Sequence, residues 1–186
     1  MECCQASTKI SIEKRRKGLE GSAYADAAFA NNQGYCSTTG FTIFYGTHLI
    51  HWKSKKQTTP STSTTESEIH ALIDCVKEAL HIKNLIEEME GKGIKLKIYC
   101  DNKATIEVTR NHVLNGKTKH MLSKIAFIRH FLEKKDFDLE YIESKKNLAD
   151  ILTKAPKKEI FQKHSRLLGL GGLLEHGDNP MLLESS

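Results

Sequence analysis

The sequence lacks several features that assign a chain to a special class of protein. No apolar run approaches the ~18 residues of a membrane helix, and Met1–Lys17 contain no apolar stretch for a signal peptide. The five cysteines include no Cys-x-x-Cys spacing, which argues against a zinc site or a disulfide framework. No internal repeat is visible. We therefore expect a soluble protein with an intracellular location and free thiols.

The composition is that of one globular domain. Of the 186 residues, 39% are hydrophobic and 27% are charged, which is too apolar for a mainly disordered chain. The net charge is +5, and Lys145–Arg166 alone contain seven basic residues against two acidic ones. Further basic runs lie at Lys14–Lys17 and Lys53–Lys56. Such segments either attract a polyanion such as nucleic acid or form a solvated face.

Hydrophobic periodicity predicts an α/β fold with a mixed sheet. Three strands come first, and Gly46-Thr47 marks a hairpin between the second and third. A long helix follows, in which Ile69, Leu72, Ile73 and Val76 recur at helical spacing and Gly91 marks the end. The predicted order then continues with a strand over 94–100, helices over 103–110 and about 121–132, a strand over 137–141, and helices over 147–153 and 157–168.

Several acidic residues stand at the ends or centres of these predicted elements. Buried carboxylates are costly unless they bind a cation, so acids in such places are candidates for a shared metal site. Spacing alone does not show that they meet. The candidates are Asp26, Glu66, Glu68, Asp101 and Asp150.

The motifs around these acids resemble the ribonuclease H region of copia-type LTR retrotransposon Pol polyproteins, of which they form the C-terminal piece. The resemblance runs from about residue 21 to 170, with residues 1–20 as a basic arm or a stub of the polymerase connection and 171–186 as a loose tail. The matching motifs, in order, are Tyr24-Ala-Asp26-Ala, His51-Trp52-Lys53-Ser-Lys-Lys-Gln57, Ser-Thr-Thr-Glu66-Ser-Glu68, Ile98-Tyr-Cys-Asp101-Asn102, Lys117-Thr-Lys119-His120 and Leu148-Ala-Asp150-Ile-Leu-Thr-Lys154.

The resemblance implies a ribonuclease H-like fold, with a five-stranded mixed sheet flanked by helices. It also implies hydrolysis of the RNA strand of RNA–DNA hybrids during reverse transcription, with two Mg²⁺ ions as cofactors and Mn²⁺ as a substitute. The residues implied as metal ligands and catalytic groups are Asp26, Glu68, Asp101 and Asp150. A non-catalytic retrotransposon remnant that still folds and binds nucleic acid is the alternative function.

The choice of glutamate stays open at this point. The family places the glutamate three residues before an alanine, and Glu68-Ile-His-Ala71 fits that spacing. Glu66 is then free to form a capping box with Ser63, although Thr65 and Glu68 form an equally good box. Helical periodicity does not decide between the two glutamates, because it places Glu66 nearer the apolar stripe, whereas the spacing to Ala71 favours Glu68. We expect Glu68 to be the ligand.

The implied partners are an RNA–DNA hybrid and the reverse transcriptase domain of the same polyprotein, which this sequence does not contain. The implied location is the cytoplasm, in a virus-like particle, or the nucleus. Trp52 and the lysines after it either contact the hybrid or form a core tryptophan with solvated lysines. Lys119 and His120 either bind phosphate or are exposed polar residues at the start of a helix. The candidate nucleic-acid contacts are Trp52, Lys53, Lys55, Lys56, Asn102, Lys119 and His120.

Overall fold

The computed structural model describes residues 20–31, 35–111, 121–154 and 158–168. Residues 1–19 of the predicted arm, the predicted tail, and Lys119 and His120 lie outside these residues. The elements are β1 (Gly21–Ala28), β2 (Thr38–Tyr45), β3 (His48–Lys56), α1 (Thr64–Glu90), β4 (Leu96–Cys100), α2 (Lys103–Arg110), α3 (Leu122–Glu133), β5 (Asp138–Tyr141), α4 (Asp150–Thr153) and α5 (Lys158–Leu167). None of the helices in these ranges is long and apolar enough for a membrane crossing.

The five strands form one mixed sheet, as the sequence predicted, and their order across the sheet is β3-β2-β1-β4-β5. β1 is antiparallel to β2 and parallel to β4, and its Ala25 pairs with Cys100 at the end of β4. Parallel neighbours end at the same edge of a sheet. Asp26 in β1 and Asp101 after β4 are therefore brought to one edge by the topology.

The core lies between the sheet and α1. Alternate residues of β1, β2 and β4 face the apolar stripe of α1, which the 3.6-residue period of that helix aligns along one side. α1 begins at the N-cap Ser63 and ends at Gly91, whose φ of 66° suits glycine. The fully buried members of this core include Ala23, Ala25, Phe41, Leu72, Val76 and Ile98.

α4 is shorter than the sequence predicted. The pattern indicated a helix from Asn147, but the helix begins at Asp150 and Asn147 keeps an extended backbone. The buried amide of Asn147 donates to the carbonyl of Ala25 (2.9 Å) and accepts from the N–H of Ala149 (3.1 Å). Hydrogen bonds of an Asn side chain to nearby backbone compete with helix formation, so the tertiary bond to β1 delays the start of α4.

Candidate functional site

The four predicted acids lie near one another, and we call them the acid cluster: Asp26, Glu68, Asp101 and Asp150. Asp26 is almost fully buried, and its carboxylate experiences the negative charges of Asp101 and Asp150. Glu68 experiences those of Asp26 and Asp101. Asp26 lies in β1 and Asp101 directly follows β4, whereas Glu68 lies near the start of α1 and Asp150 begins α4. The fold therefore gathers acids that are distant in sequence.

Glu68 is the most strongly perturbed of these groups. Its side chain is 7% exposed, and burial raises its pKa to about 9, with the charges of Asp26 and Asp101 adding to the effect. A backbone hydrogen bond from Ala27 opposes that rise. Its Oε2 atom has no hydrogen-bond partner among the described residues. A buried oxygen without a partner is costly, and a bound cation would remove that cost.

Glu66 lies apart from the cluster and stabilises the start of α1. Its carboxylate accepts from the N–H (2.6 Å) and the hydroxyl (2.7 Å) of Thr62. Its own N–H donates to the hydroxyl of Ser63 at 3.1 Å. The capping interaction expected with Ser63 is therefore present, but the return bond goes to Thr62, one residue earlier than a standard capping box requires. The structure places Glu68, and not Glu66, beside the other acids.

Two further residues, one in α4 and one at its C-cap, contact the cluster and were not among the predicted site residues. The hydroxyl of Thr153 donates to Oδ2 of Asp26. The ammonium of Lys154 lies 2.6 Å from Oδ1 of Asp150 and 3.8 Å from Oδ2 of Asp26. They follow Asp150 by three and four residues, the spacing at which helical side chains share a face. That spacing was the available signal.

These contacts act on the protonation of Asp26. Burial raises its pKa, as do the charges of Asp101 and Asp150. The hydrogen bond from Thr153 and the charge of Lys154 oppose the rise. The pKa of Asp26 is raised on balance, so burial and like charges outweigh the two stabilising groups.

The position of α4 on the sheet depends on a glycine in β2. A Cβ at Gly40 would lie 2.5 Å from Cγ2 of Thr153 and 3.1 Å from the carbonyl oxygen of Ala149. Hydrogen bonds then hold the helix from two sides: Ser54 donates to the carbonyl of Leu152 (2.6 Å), and the Asn31 amide donates to that of Thr153 (3.0 Å). This close approach brings Asp150 towards Asp26.

The tightest group of potential ligand atoms includes a cysteine. Donor atoms of Glu68, Cys100 and Asp101 all lie within 4.8 Å of one another. Burial raises the pKa of the Cys100 thiol, which keeps it protonated at neutral pH. Asp26 and Asp150, whose carboxylates contact Thr153 and Lys154, are not in this tightest group. The remaining oxygen ligands are the hard donors that magnesium prefers.

The predicted nucleic-acid contacts differ in their surroundings: some are exposed, and Lys53 and Asn102 have a partner within the protein. Trp52 is 58% exposed, so the alternative that it belongs to the core is wrong. Lys53 points to the other face of β3, because successive strand residues alternate, and it pairs with Glu78 at 3.4 Å. Asn102 caps α2 by accepting from the N–H of Thr105 at 3.0 Å. That bond gives Asn102 a structural role.

Lys55 and Lys56 are exposed at the end of β3. β3 runs in the same direction as β1, because each is antiparallel to β2, and Gly40 pairs with both Asp26 and Ser54. The two lysines thus lie at the edge of the sheet that carries Asp26. Two strand spacings, about 10 Å, separate β3 from β1. A basic strand end accordingly lies beside the acid cluster.

This fold is similar to solved ribonucleases H. The N-terminal ribonuclease H domain of rv2228c from Mycobacterium tuberculosis has a TM-score of 0.56 at 14% identity, over 78% of this chain and 99% of that one. LC11-RNase H1, solved in complex with an RNA/DNA hybrid, has a TM-score of 0.56 at 17% identity, over 76% and 99%. The predicted fold class is confirmed: this is a ribonuclease H-like domain.

The sequence relatives identify the family. The retrovirus-related Pol polyprotein of transposon RE2 from Arabidopsis thaliana is 33% identical over 162 residues, which are 84% of this chain and 11% of that polyprotein. The chain thus spans about a tenth of this relative's length. No protein-family model matches it. The chain belongs with the ribonuclease H domains of retrovirus-related Pol polyproteins of copia-type transposons.

Proposed function

We propose that this domain hydrolyses the RNA strand of RNA–DNA hybrids in a Mg²⁺-dependent reaction, with Mn²⁺ as a substitute. The observation that carries the proposal is the buried carboxylate of Glu68, which has one oxygen without a partner and faces Asp26 and Asp101. A structural carboxylate at such a depth would be paired or hydrogen-bonded throughout. An incompletely satisfied acid among other acids is typical of a cation site.

The donor set fits magnesium. Asp26, Glu68, Asp101 and Asp150 offer carboxylate oxygens from four separate elements, and we propose that these four hold two ions. When bound, the ions supply an activated water and stabilise charge on the leaving oxygen. For this reaction the protein must hold four mutually repelling carboxylates in place before the substrate binds.

The chain meets this requirement through contacts at β1 and α4. Thr153 orients the Asp26 carboxylate, and the Asn147 amide ties the segment before Asp150 to the carbonyl of Ala25. Ala27 holds Glu68 through its backbone N–H. Asp26, Glu68 and the segment before Asp150 are thus held by groups that belong to a strand or a packed segment, which limits the reorganisation needed during reaction.

For substrate, the LC11 complex is a ribonuclease H of the same fold with an RNA/DNA hybrid. We propose the same class of substrate here, bound across the edge that carries the acid cluster. Trp52, Lys55 and Lys56 are exposed near that edge and suit a phosphate backbone and a stacked base or sugar. Contacts to 2′-hydroxyl groups would distinguish the RNA strand. The reverse transcriptase of the same polyprotein is the proposed protein partner, within a cytoplasmic particle or the nucleus.

Labelled substrates test the proposal. The purified chain is offered a hybrid, an RNA duplex and single-stranded RNA, with magnesium or with chelator. We expect cleavage of the hybrid RNA strand only, and only with a divalent cation. Asp101→Asn, which removes one cluster charge at nearly constant shape, should abolish cleavage. Equal cutting of all three substrates would contradict hybrid specificity, and hybrid binding without cleavage would indicate the non-catalytic remnant.

The same variant tests the cluster by stability. Without metal, Asp101→Asn relieves repulsion and should be neutral or stabilising, by about 1 kcal/mol. With magnesium, the wild-type melting temperature should rise because the ion binds only the folded state, and the variant should lose that rise. An ordinary surface aspartate predicts an unchanged magnesium response and unchanged cleavage.

A further inference from the structure

The side chain of Lys154 places a positive charge of the chain's own on the acid cluster. Its ammonium contacts Asp150 at 2.6 Å and lies 3.8 Å from Asp26. It also interacts electrostatically with Glu68 and Asp101. Of the ion pairs among the described lysines, those of Lys154 are the ones that reach the cluster.

The Lys154 ammonium and a divalent cation compete for the same oxygen. Magnesium binds carboxylate oxygens at about 2.1 Å. An ion bound to Oδ1 of Asp150 would share that oxygen with the ammonium, which lies 2.6 Å from it. Two cations so close repel strongly where water is partly excluded. Each cation therefore weakens the binding of the other to Asp150.

The side chain of Lys154 is able to leave. It is half exposed, and its atoms beyond the backbone are not part of the core clusters. Its neighbour Thr153 is buried and is held against Gly40. The lysine can therefore swing into solvent while α4 stays in place, at a cost in ion-pair energy and little cost in packing.

We propose that Lys154 is a positioning residue that acts as an internal counter-ion: it neutralises Asp26 and Asp150 in the metal-free domain and competes with the divalent cation for them. The inference rests on the proposed metal site and goes further, because it assigns a regulatory role to a residue outside the four ligands. In this arrangement Lys154 stabilises the empty fold and weakens metal binding. The same ion pairs thus raise the stability of the metal-free domain and lower its affinity for the cation.

The test uses Lys154→Met, which keeps the length of the side chain without its charge, and Lys154→Arg, which keeps the charge. Affinity for Mg²⁺, and for Ca²⁺ as a second divalent probe, is measured by calorimetry on the full chain without substrate. We expect Lys154→Met to melt lower in chelator and to bind both ions about tenfold more tightly, since one competing charge is gone. Lys154→Arg should bind them as weakly as the wild type.

Lys97→Met is the matched control, because Lys97 is also partly exposed in a carboxylate ion pair, with Glu140 at 3.4 Å. It should leave metal affinity unchanged. A merely structural lysine predicts that Lys154→Met binds metal as weakly as the wild type or more weakly, and that result would overturn the inference.

Asp101→Asn separates this inference from the proposed function. If that variant loses metal binding while Lys154→Met binds as the wild type does, the metal site stands and the role of Lys154 fails. If the wild type binds neither ion, both fail.

Discussion

The side-chain amide of Asn147 donates a hydrogen bond to the backbone carbonyl of Ala25, the residue before Asp26 in β1. Asn147 is fully buried and also accepts from the N–H of Ala149, directly before Asp150. One amide thus links the backbone beside one acid of the cluster to the backbone beside another. The relative position of β1 and α4 depends on it.

Asn147→Ala should therefore damage both the fold and the site. The Ala25 carbonyl would lose the hydrogen bond from the Asn147 amide, and the Ala149 N–H would lose its acceptor. We therefore expect a loss of about 1–3 kcal/mol in the free energy of unfolding. Hybrid cleavage should fall further than stability explains, because Asp150 loses its anchor. Denaturant unfolding and cleavage rates measure the two effects. Asn84→Ala, on the outer part of α1, is the control, and an equally large loss there would remove the special role of Asn147.

Glu68→Gln should change how stability depends on pH. The pKa of Glu68 rises from 4.5 to about 9 on folding, so between these values the folded chain holds a proton that the unfolded chain has lost. Stability from this group is therefore greatest below pH 4.5, falls as pH rises through the window and levels off above about pH 9.

In chelator, the wild-type melting temperature should fall with rising pH more steeply than that of Glu68→Gln. A slope in the same direction from Asp26, whose pKa burial also raises, should remain in the variant. Glu88→Gln, an exposed carboxylate of the same helix, should follow the wild type. Parallel curves for wild type and Glu68→Gln would show that Glu68 ionises freely in the folded protein.

Gly40→Ala should displace α4. The added Cβ would lie 2.5 Å from Cγ2 of Thr153 and 3.0 Å from Cβ of Leu152, so the helix must move away from β2. We expect a loss of about 1–3 kcal/mol in stability and a weaker magnesium response. Gly93→Ala, where the nearest atom is 3.8 Å away, should change stability by less than about 0.5 kcal/mol. Thermal melts with and without magnesium distinguish a shift of α4 from a general packing defect.

The basic end of β3 should govern the salt dependence of hybrid binding. Each phosphate that a lysine neutralises adds about 0.9 to the slope of log affinity against log salt on duplex DNA. Replacing Lys55 and Lys56 by Gln should flatten that slope, and adding Lys53→Gln should flatten it further at some cost to the pair with Glu78. Lys92→Gln with Lys134→Gln, near the opposite end of the sheet, is the control. An unchanged slope for Lys55 and Lys56 would make them a solvated strand end.

The sequence predicted the elements well where one periodicity governs burial. Leu96, Ile98 and Cys100 alternate with polar residues and form β4, and Ile69, Leu72, Ile73 and Val76 repeat at helical spacing in α1. The order of these elements along the chain and the resemblance predicted a five-stranded mixed sheet, and the structure supplied the order of its strands. In such segments local pattern and tertiary burial favour the same structure, so the pattern is informative.

The contacts that shape the cluster could not be predicted in the same way. Thr153 reaches Asp26 only because Gly40 lets α4 approach β2, and that approach is a property of three elements at once. The short α4 depends on the bond from Asn147 to Ala25, which has no local sequence signal. Helical period alone would have favoured Glu66 over Glu68, and the prediction of Glu68 came from the spacing to Ala71 in the resemblance; the structure agrees with that spacing because of how α1 crosses the sheet.

The hydrogen bonds to β1 from Asn147 and Thr153 span 122 and 127 residues. Because a ribosome makes the chain from its N-terminus, β1 emerges long before the groups that orient Asp26. A nascent chain that ends before Asn147 contains all the residues of the sheet but lacks both the tie to Ala25 and the hydroxyl on Asp26. The proposed active site therefore cannot assemble until Asp150 and its neighbours have left the ribosome.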